Sequence, residues 1–158
     1  MDKDEEKDGE ALVLDTNIIL ASVLRHGSYT RQVVIYLIDV LGIKAFTSEK
    51  ALHEIDEHLE ELAKRKKVSV EELRAAIRIL LLNVNMVEKG TYNAYMEKAG
   101  ECVKDLADAD FAALALHLSE KYKNVILLTW NKNDYIENCL KAYGVILYTP
   151  SDLRVPVN

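Results

Sequence analysis

Cysteines and long apolar runs are scarce in this sequence. Only two cysteines, Cys102 and Cys139, occur among its 158 residues. Two cysteines are too few for a disulfide framework, and their spacing matches no metal-ligand motif, so we predict two reduced structural thiols. No apolar stretch approaches the roughly 20 residues that a membrane-spanning helix needs, and we therefore expect no membrane partner.

The first ten residues are the opposite of a secretory signal. They contain six acids, two lysines and no apolar run, whereas a signal peptide begins basic and continues apolar. We therefore expect a cytoplasmic protein. Residues 1–10 are predicted to be a disordered acidic leader, and residues 11–158 a single domain, because a chain of this length suits one hydrophobic core.

The net charge of −6 does not exclude a nucleic-acid partner. The leader contributes −4 of this charge, so the rest of the chain carries only −2. Binding to nucleic acid depends on where the charges lie rather than on their sum.

Hydrophobic periodicity predicts strands that alternate with helices. The predicted strands are 11–14, 43–47, 84–87, 124–129 and 145–148. The predicted helices are 18–24, 33–41, 50–62, 69–82, 91–103, 109–118 and 135–143. Such alternation is typical of a parallel sheet covered on both faces. We predict an α/β fold, a single-domain three-layer α/β/α arrangement with a central parallel sheet of about five strands.

Acidic side chains follow the predicted strands. They are Asp15 after the first strand, Glu54 on the helix after the second, Asp108 and Asp110 at the start of a helix, and Asp134 after the strand 124–129. The carboxyl ends of parallel strands form one edge, so these acids are expected to share a crevice. Carboxylates gathered in one crevice repel one another unless a cation neutralises them. Ligands that offer only oxygen select Mg²⁺ or Mn²⁺, which predicts metal-dependent hydrolysis of a phosphate ester.

Four segments together resemble the PIN domain family. They are Leu14-Asp15-Thr16-Asn17, His53-Glu54-Ile55, the stretch 108–116 and the stretch 129–135, and the resemblance runs from about Leu12 to the end. The family consists of metal-dependent ribonucleases, many of them toxins of prokaryotic toxin–antitoxin pairs. The resemblance implies an endoribonuclease that uses Mg²⁺ or Mn²⁺, with RNA as substrate and an antitoxin protein as a partner.

The resemblance also implies roles for individual residues. Asp15 and Asp108 match acids that bind the metal, and Glu54 matches an acid that holds a water or completes a second metal position. Asn17 and Thr129 match polar residues that orient these ligands. Whether one ion or two is used stays open at this point.

The fourth acidic position departs from the family's commonest pattern. Asn131 stands where that pattern has an aspartate, two residues after Thr129. A variant of the pattern has asparagine there and an aspartate three residues later, which is Asp134. Either Asp134 is the fourth catalytic carboxylate and a metal ligand, or Asn131 contributes through its amide oxygen or a water. Asp110 could compensate, although a spacing of two does not place it on the same helix face as Asp108.

Other roles compete with these. We expect one of Asp108 and Asp110 to cap its helix, and Glu54 also belongs to an acidic helix face. Trp130 could stack on a base or pack on the core. The candidates for contact with RNA phosphates are the basic residues near the motif segments, namely Arg25, Lys50 and Lys132.

Two other functions remain open. A PIN-like module that binds RNA or protein without catalysis is favoured by the departure at Asn131. A phosphoryl-accepting receiver domain also clusters acids, but it needs an acid pair after its first strand, which this chain lacks. Three apolar residues in a row near the end of the helix 69–82 favour a homodimer, namely Leu80, Leu81 and Leu82.

Overall fold

A five-stranded parallel sheet forms the centre of the protein. The computed structural model describes residues 7–24 and 28–156. The spatial order of the strands is β3-β2-β1-β4-β5, and every neighbouring pair is parallel. The prediction of an α/β fold around a five-stranded parallel sheet is confirmed. The strands are β1 (Asp8–Leu14), β2 (Lys44–Ser48), β3 (Val84–Val87), β4 (Tyr122–Leu128) and β5 (Val145–Tyr148).

Helices flank this sheet. The long helix α3 begins after Ser48, whose hydroxyl accepts a hydrogen bond from the Lys50 amide, and α4 begins after Ser69, whose hydroxyl accepts one from the Glu72 amide. None of the helices in the described ranges is long and apolar enough to cross a membrane. The helices are α1 (Thr16–Leu24), α2 (Tyr29–Ile35), α3 (Glu49–Lys66), α4 (Val70–Leu81), α5 (Lys89–Tyr92), α6 (Met96–Glu101), α7 (Ala109–Leu118) and α8 (Glu137–Ala142).

The part of the core that positions the site lies between the sheet and α7, and buried residues of α1 to α4 belong to the same cluster. The segment 11–14 of β1 has no exposed surface, and α7 is buried along nearly its whole length. Four alanines in α7 have side chains small enough to let the helix approach β1, β2 and β4 closely. This packing holds the carboxyl ends of β1 and β4 in place, and the candidate site lies there.

The first strand begins earlier than predicted. Residues 8–10, which we assigned to the leader, form the start of β1, where Asp8 pairs with Tyr122 and Glu10 with Asn124. These side chains are exposed, so a search for apolar residues misses them, whereas strand pairing needs only the backbone. Residues 1–6 of the predicted leader lie outside the described residues.

Several predicted helices have different bounds in the structure. The predicted helix 33–41 begins earlier, as α2 at Tyr29, and continues beyond α2 as a π-helical segment at Tyr36–Val40. The predicted helix 91–103 is divided into α5, a 3₁₀ turn at Asn93–Tyr95 and α6. The predicted helix 135–143 begins only at Glu137, because Tyr135 has an extended backbone and forms a β-bridge with Val103. The extended conformation at Tyr135 proves important for the site.

The prediction of two reduced thiols is wrong. Cys102, directly after α6, and Cys139, in α8, form a disulfide. Their Cα atoms lie 5.2 Å apart, within the span of a disulfide. The two residues are 37 positions apart in the chain, so only the packing of α8 beside α6 brings them together.

Candidate functional site

The site lies where the order of the strands reverses. From β1 the chain builds β2 and then β3 on one side, and later returns to place β4 on the other side of β1. Leu14 pairs with Leu128 in these two central strands, so the residues that follow them, Asp15 and Thr129, are neighbours. Such a reversal is where open α/β sheets have their ligand crevice.

Asp15 is a buried carboxylate held by three donors. It is only 4% exposed. Its Oδ1 accepts a hydrogen bond from the Thr16 amide at 2.7 Å, and its Oδ2 accepts from the hydroxyls of Thr129 and Tyr135, each at 2.9 Å. Burial raises the pKa of Asp15, these three bonds oppose the rise, and the negative charge of Glu54 adds to it. The oxygens therefore have fixed positions, and a nearby cation would favour their ionised form.

Asn17 and Thr129 connect β4 to Asp15. The Asn17 amide nitrogen donates to the Thr129 hydroxyl at 3.1 Å, and that hydroxyl in turn donates to Asp15. The Asn17 side-chain oxygen accepts from the Trp130 amide at 2.8 Å. The backbone amide of Asn131 also donates to the Thr129 hydroxyl, at 3.0 Å. Both residues therefore lie where they can orient Asp15, while Asn131 contributes its backbone.

Glu54 reaches the site from α3. Its Oε2 accepts a hydrogen bond from the Thr16 hydroxyl at 2.7 Å, and Thr16 is the residue whose amide donates to Asp15. Thr16 therefore holds both carboxylates, although the sequence suggested no role for it. Its position inside the motif Leu-Asp-Thr-Asn was the available signal.

Asp108 is electrostatically coupled to Asp15 and Asp134. Burial first, and then the negative charges of Asp15, Asp134 and Asp105, raise the pKa of Asp108 to about 7. The side chain of Asp108 makes no capping hydrogen bond, although the residue precedes α7. The expectation that Asp108 or Asp110 caps its helix is wrong, because Asp108 stands at the start of α7 without a capping bond. The side chain of Asp105 instead accepts from the Ala107 amide and caps the 3₁₀ turn Leu106–Asp108 that precedes α7.

Asp110 lies in a separate part of the site. It is 5% exposed, and its Oδ1 accepts from the Tyr92 hydroxyl at 2.7 Å. Its Oδ2 lies 3.3 Å from Nζ of Lys50, which also lies 3.9 Å from Oε1 of Glu54. Lys50, which is partly exposed, and the buried Asp110 therefore form an ion pair beside Glu54.

The other predicted RNA contacts have different surroundings. Nζ of Lys132 lies 3.2 Å from Asp152 and 3.3 Å from Glu137, so its charge is largely directed at carboxylates of its own chain. Arg25 lies outside the described residues. The Trp130 indole nitrogen donates to the Thr30 hydroxyl at 2.9 Å, and the residue is 38% exposed. Trp130 is therefore held against α2 and still presents part of its surface to solvent.

Tyr135 contacts the site, although the sequence did not predict a role for it. Its hydroxyl bonds Asp15, and its phenol is buried. Burial, together with the charges of Asp15 and Asp108, raises the pKa of Tyr135 well above its ordinary value, so the phenol stays a hydrogen-bond donor. The sequence analysis placed residue 135 in a helix, and so it gave no reason to expect the side chain at Asp15.

The residues present suit a hard divalent cation by their chemistry. The donors are carboxylate oxygens, and the pKa of Asp108 is raised by neighbouring negative charge as well as by burial. Across residues 7–24 and 28–156, no three Asp, Glu, His or Cys side chains already form a cage for an ion. The negative charges of Asp15 and Asp134 add to the effect of burial at Asp108, and a cation beside Asp108 would relieve that repulsion.

Two solved structures resemble this chain over most of its length. The FitAB complex bound to an IR36 DNA fragment has a TM-score of 0.62 and 19% identity, and the match covers 91% of this chain and 98% of that chain. VapBC2 from Rickettsia felis, bound to a DNA fragment from its promoter, has a TM-score of 0.56 and 18% identity, covering 88% and 98%. These two likenesses show the fold.

The family itself is identified from the sequence. No curated protein gives a significant match. The sequence model of the PIN domain matches residues 13–121, which is more than half of the chain. The first three acidic positions, from Asp15 to Asp108, fall within that match, and the sheet has the strand order described above. The chain belongs to the PIN domain family.

Proposed function

We propose that the protein is a Mg²⁺- or Mn²⁺-dependent endoribonuclease. The observation that carries the proposal is the buried carboxylate of Asp15 at the β1–β4 reversal, which shares Thr16 with Glu54, together with the negative charges of Asp15 and Asp134 that help to raise the pKa of Asp108 to about 7. Such a concentration of negative charge needs a cation, and a cation beside a phosphodiester assists its hydrolysis. Membership of a family of nucleases supports the same conclusion.

The proposed ligands are Asp15, Asp108 and Asp134. The ion, when bound, supplies positive charge to the phosphate and makes water more acidic. Thr129 and Tyr135 hold the carboxylate of Asp15 in one orientation, and Asn17 holds Thr129. Glu54, held by Thr16, lies where it can orient a water or accept a proton. Asp108, whose pKa is raised to about 7 by burial and neighbouring negative charge, would be favoured in its carboxylate form beside a cation.

The test is a cleavage assay on a generic RNA with Mn²⁺ or Mg²⁺. The full chain is compared with Asp15→Asn and Asp108→Asn, and Asp56→Asn on the exposed face of α3 is the matched control. We expect both site variants to lose at least about 100-fold in rate while the control keeps its activity. RNA binding without cleavage by pure wild-type protein would instead support the non-catalytic binding module.

An antitoxin protein is the proposed partner, and an apolar groove supports it. The groove has a volume of about 400 Å³ and lies between α2 and the end of α4. It is lined in part by Val34, Ile38, Ile79 and Leu82, and Ile79 is 64% exposed. An apolar helix of a partner could cover such a surface. The solved relatives FitAB and VapBC2 are themselves complexes on DNA.

The partner is tested with a small DNA-binding protein encoded by a neighbouring gene. Co-purification with the nuclease is expected, and Ile79→Asp is expected to abolish it. Val40→Asp is the control, because Val40 is equally exposed at 64% and lies outside the groove. Retention of the complex by Ile79→Asp would move the partner to another surface.

A homodimer is the proposed oligomeric state. Leu80 and Leu81 are half-buried against the core rather than exposed, but Leu82 is 78% exposed. Analytical ultracentrifugation of the isolated chain is expected to give the mass of two copies. A Leu82→Asp variant that is a monomer would place Leu82 in the contact.

A further inference from the structure

Lys50 places an ammonium group among the acids of the site. Its Nζ lies 3.3 Å from Oδ2 of Asp110 and 3.9 Å from Oε1 of Glu54, and it donates a hydrogen bond to the carbonyl of Ala107. Ala107 directly precedes Asp108. One cation therefore joins the first turn of α3 to the turn that leads into α7.

A continuous set of hydrogen bonds holds Lys50 in this position. Its amide donates to the Ser48 hydroxyl at 3.1 Å, and that hydroxyl lies 2.6 Å from the Tyr92 hydroxyl. Tyr92 donates to Oδ1 of Asp110 at 2.7 Å, so Ser48 must be the donor to Tyr92. The set closes where Asp110 meets the Lys50 ammonium. Hydrogen bonds therefore hold both partners of the ion pair, Lys50 through Ser48 and Asp110 through Tyr92.

Burial makes a counter-charge at Asp110 necessary. A carboxylate that is only 5% exposed is costly unless it is paired with a cation and hydrogen-bonded. Lys50 supplies that charge, and it does so at a point shared with Glu54. Asp15, which shares Thr16 with Glu54, is by contrast held by neutral donors, the Thr16 amide and the hydroxyls of Thr129 and Tyr135.

We propose that the Lys50 ammonium is the built-in cation of the Glu54–Asp110 half of the site, and that the protein therefore binds a single divalent ion, at the half formed by Asp15, Asp108 and Asp134. This inference rests on the proposed metal-dependent function. It makes Lys50 a positioning residue for Glu54, and it decides between one ion and two. Replacing the ammonium by a neutral side chain should free Glu54 and Asp110 to bind a second ion.

Counting bound Mn²⁺ tests the proposal without measuring activity. The full-length protein is titrated with MnCl₂ at about pH 8, by calorimetry and by electron paramagnetic resonance of free Mn²⁺. We expect a single bound ion in the wild type, in Lys50→Arg and in the control Lys123→Met, whose lysine is exposed on β4. Lys50→Met is expected to bind two.

A double variant connects the second ion to the ion pair. Lys50→Met with Asp110→Asn removes both charges, avoids leaving a buried carboxylate unpaired, and is expected to bind a single ion again. Circular dichroism checks the folding of each variant. If Lys50→Met does not fold, the counts for the wild type and Lys50→Arg decide the question.

The number of bound Mn²⁺ ions distinguishes failure of the Lys50 proposal from failure of the proposed metal-dependent function. Two ions in the wild type, or a single ion in folded Lys50→Met, overturn the role of Lys50 and leave the metal-dependent nuclease standing. No bound Mn²⁺ in any protein overturns both proposals.

Discussion

The hydroxyl of Tyr135 donates a hydrogen bond to Oδ2 of Asp15 at 2.9 Å, across 120 residues of chain. Tyr135 lies outside any helix, where a bridge to Val103 and a bond from the Ile136 amide to the Cys102 carbonyl hold the backbone. The segment that carries Asp134 is thus attached to the first strand-end acid.

Replacing Tyr135 by Phe should weaken cation binding in a pH-dependent way. The lost bond stabilises ionised Asp15, so the pKa of Asp15 rises further and a proton competes more strongly with the cation as the pH falls. We expect about a 10-fold loss of Mn²⁺ affinity at about pH 6.5 and a smaller loss at about pH 8. Calorimetric titration measures both, with Tyr143→Phe on the surface as the control. Equal losses at both pH values would contradict this explanation.

Asp108 should make the metal-free protein less stable as the pH rises. Its folded pKa of about 7 exceeds the ordinary 3.8, so between these values the folded state binds more protons than the unfolded state. Stability therefore falls with rising pH across that window. Asp108→Asn should remove a cost on the order of 1–2 kcal/mol at about pH 8, after allowance for solvent screening.

Urea denaturation in EDTA measures this effect at about pH 4 and about pH 8. The difference in unfolding free energy between Asp108→Asn and the wild type should be larger at the higher pH. Asp56→Asn, on the exposed face of α3, is the control. Parallel pH profiles for the wild type and Asp108→Asn would show that Asp108 carries no such cost.

The fourth acidic position should be Asp134 rather than Asn131. The negative charge of Asp134 raises the pKa of Asp108, whereas Asn131 reaches the site through its backbone amide, which donates to the Thr129 hydroxyl. We expect Asp134→Asn to lower Mn²⁺ affinity by at least about 10-fold and Asn131→Ala to have little effect. The same titrations measure both variants, and a larger effect at Asn131 would reverse the assignment.

The disulfide should stabilise the protein and stay closed without reductant. The bond between Cys102 and Cys139 spans 37 positions and joins the end of α6 to α8, so it restricts the unfolded chain. Reduction is expected to cost about 2–4 kcal/mol of unfolding free energy.

Mass spectrometry after alkylation of unreduced protein should find no modified cysteine, and thermal melts with and without dithiothreitol should differ. The double variant Cys102→Ala, Cys139→Ala is the control, because dithiothreitol should not change its melting temperature. Free thiols in protein purified under air would contradict the bond.

Local patterns were enough for much of the fold. The bounds of β3, α7 and β5 agree with prediction, because apolar periodicity and short flanking turns are properties of neighbouring residues. The prediction lost accuracy where tertiary contacts override local preference. Tyr135 has a helix-compatible sequence on its C-terminal side, yet pairing with Val103 and bonding to Asp15 keep it extended.

The sequence by itself determined the alternation of strands and helices, the family, and the placing of acids after strands, since each depends on short segments. Only the tertiary structure decided the partners of those acids. Asp15 meets Thr129 because β4 lies beside β1, and Glu54 and Asp110 share Lys50 because α3 lies against the turn before α7. Cys102 reaches Cys139 in the same way, through packing. These contacts join distant parts of the chain, and the order of strands in space, which no local pattern encodes, brings them together.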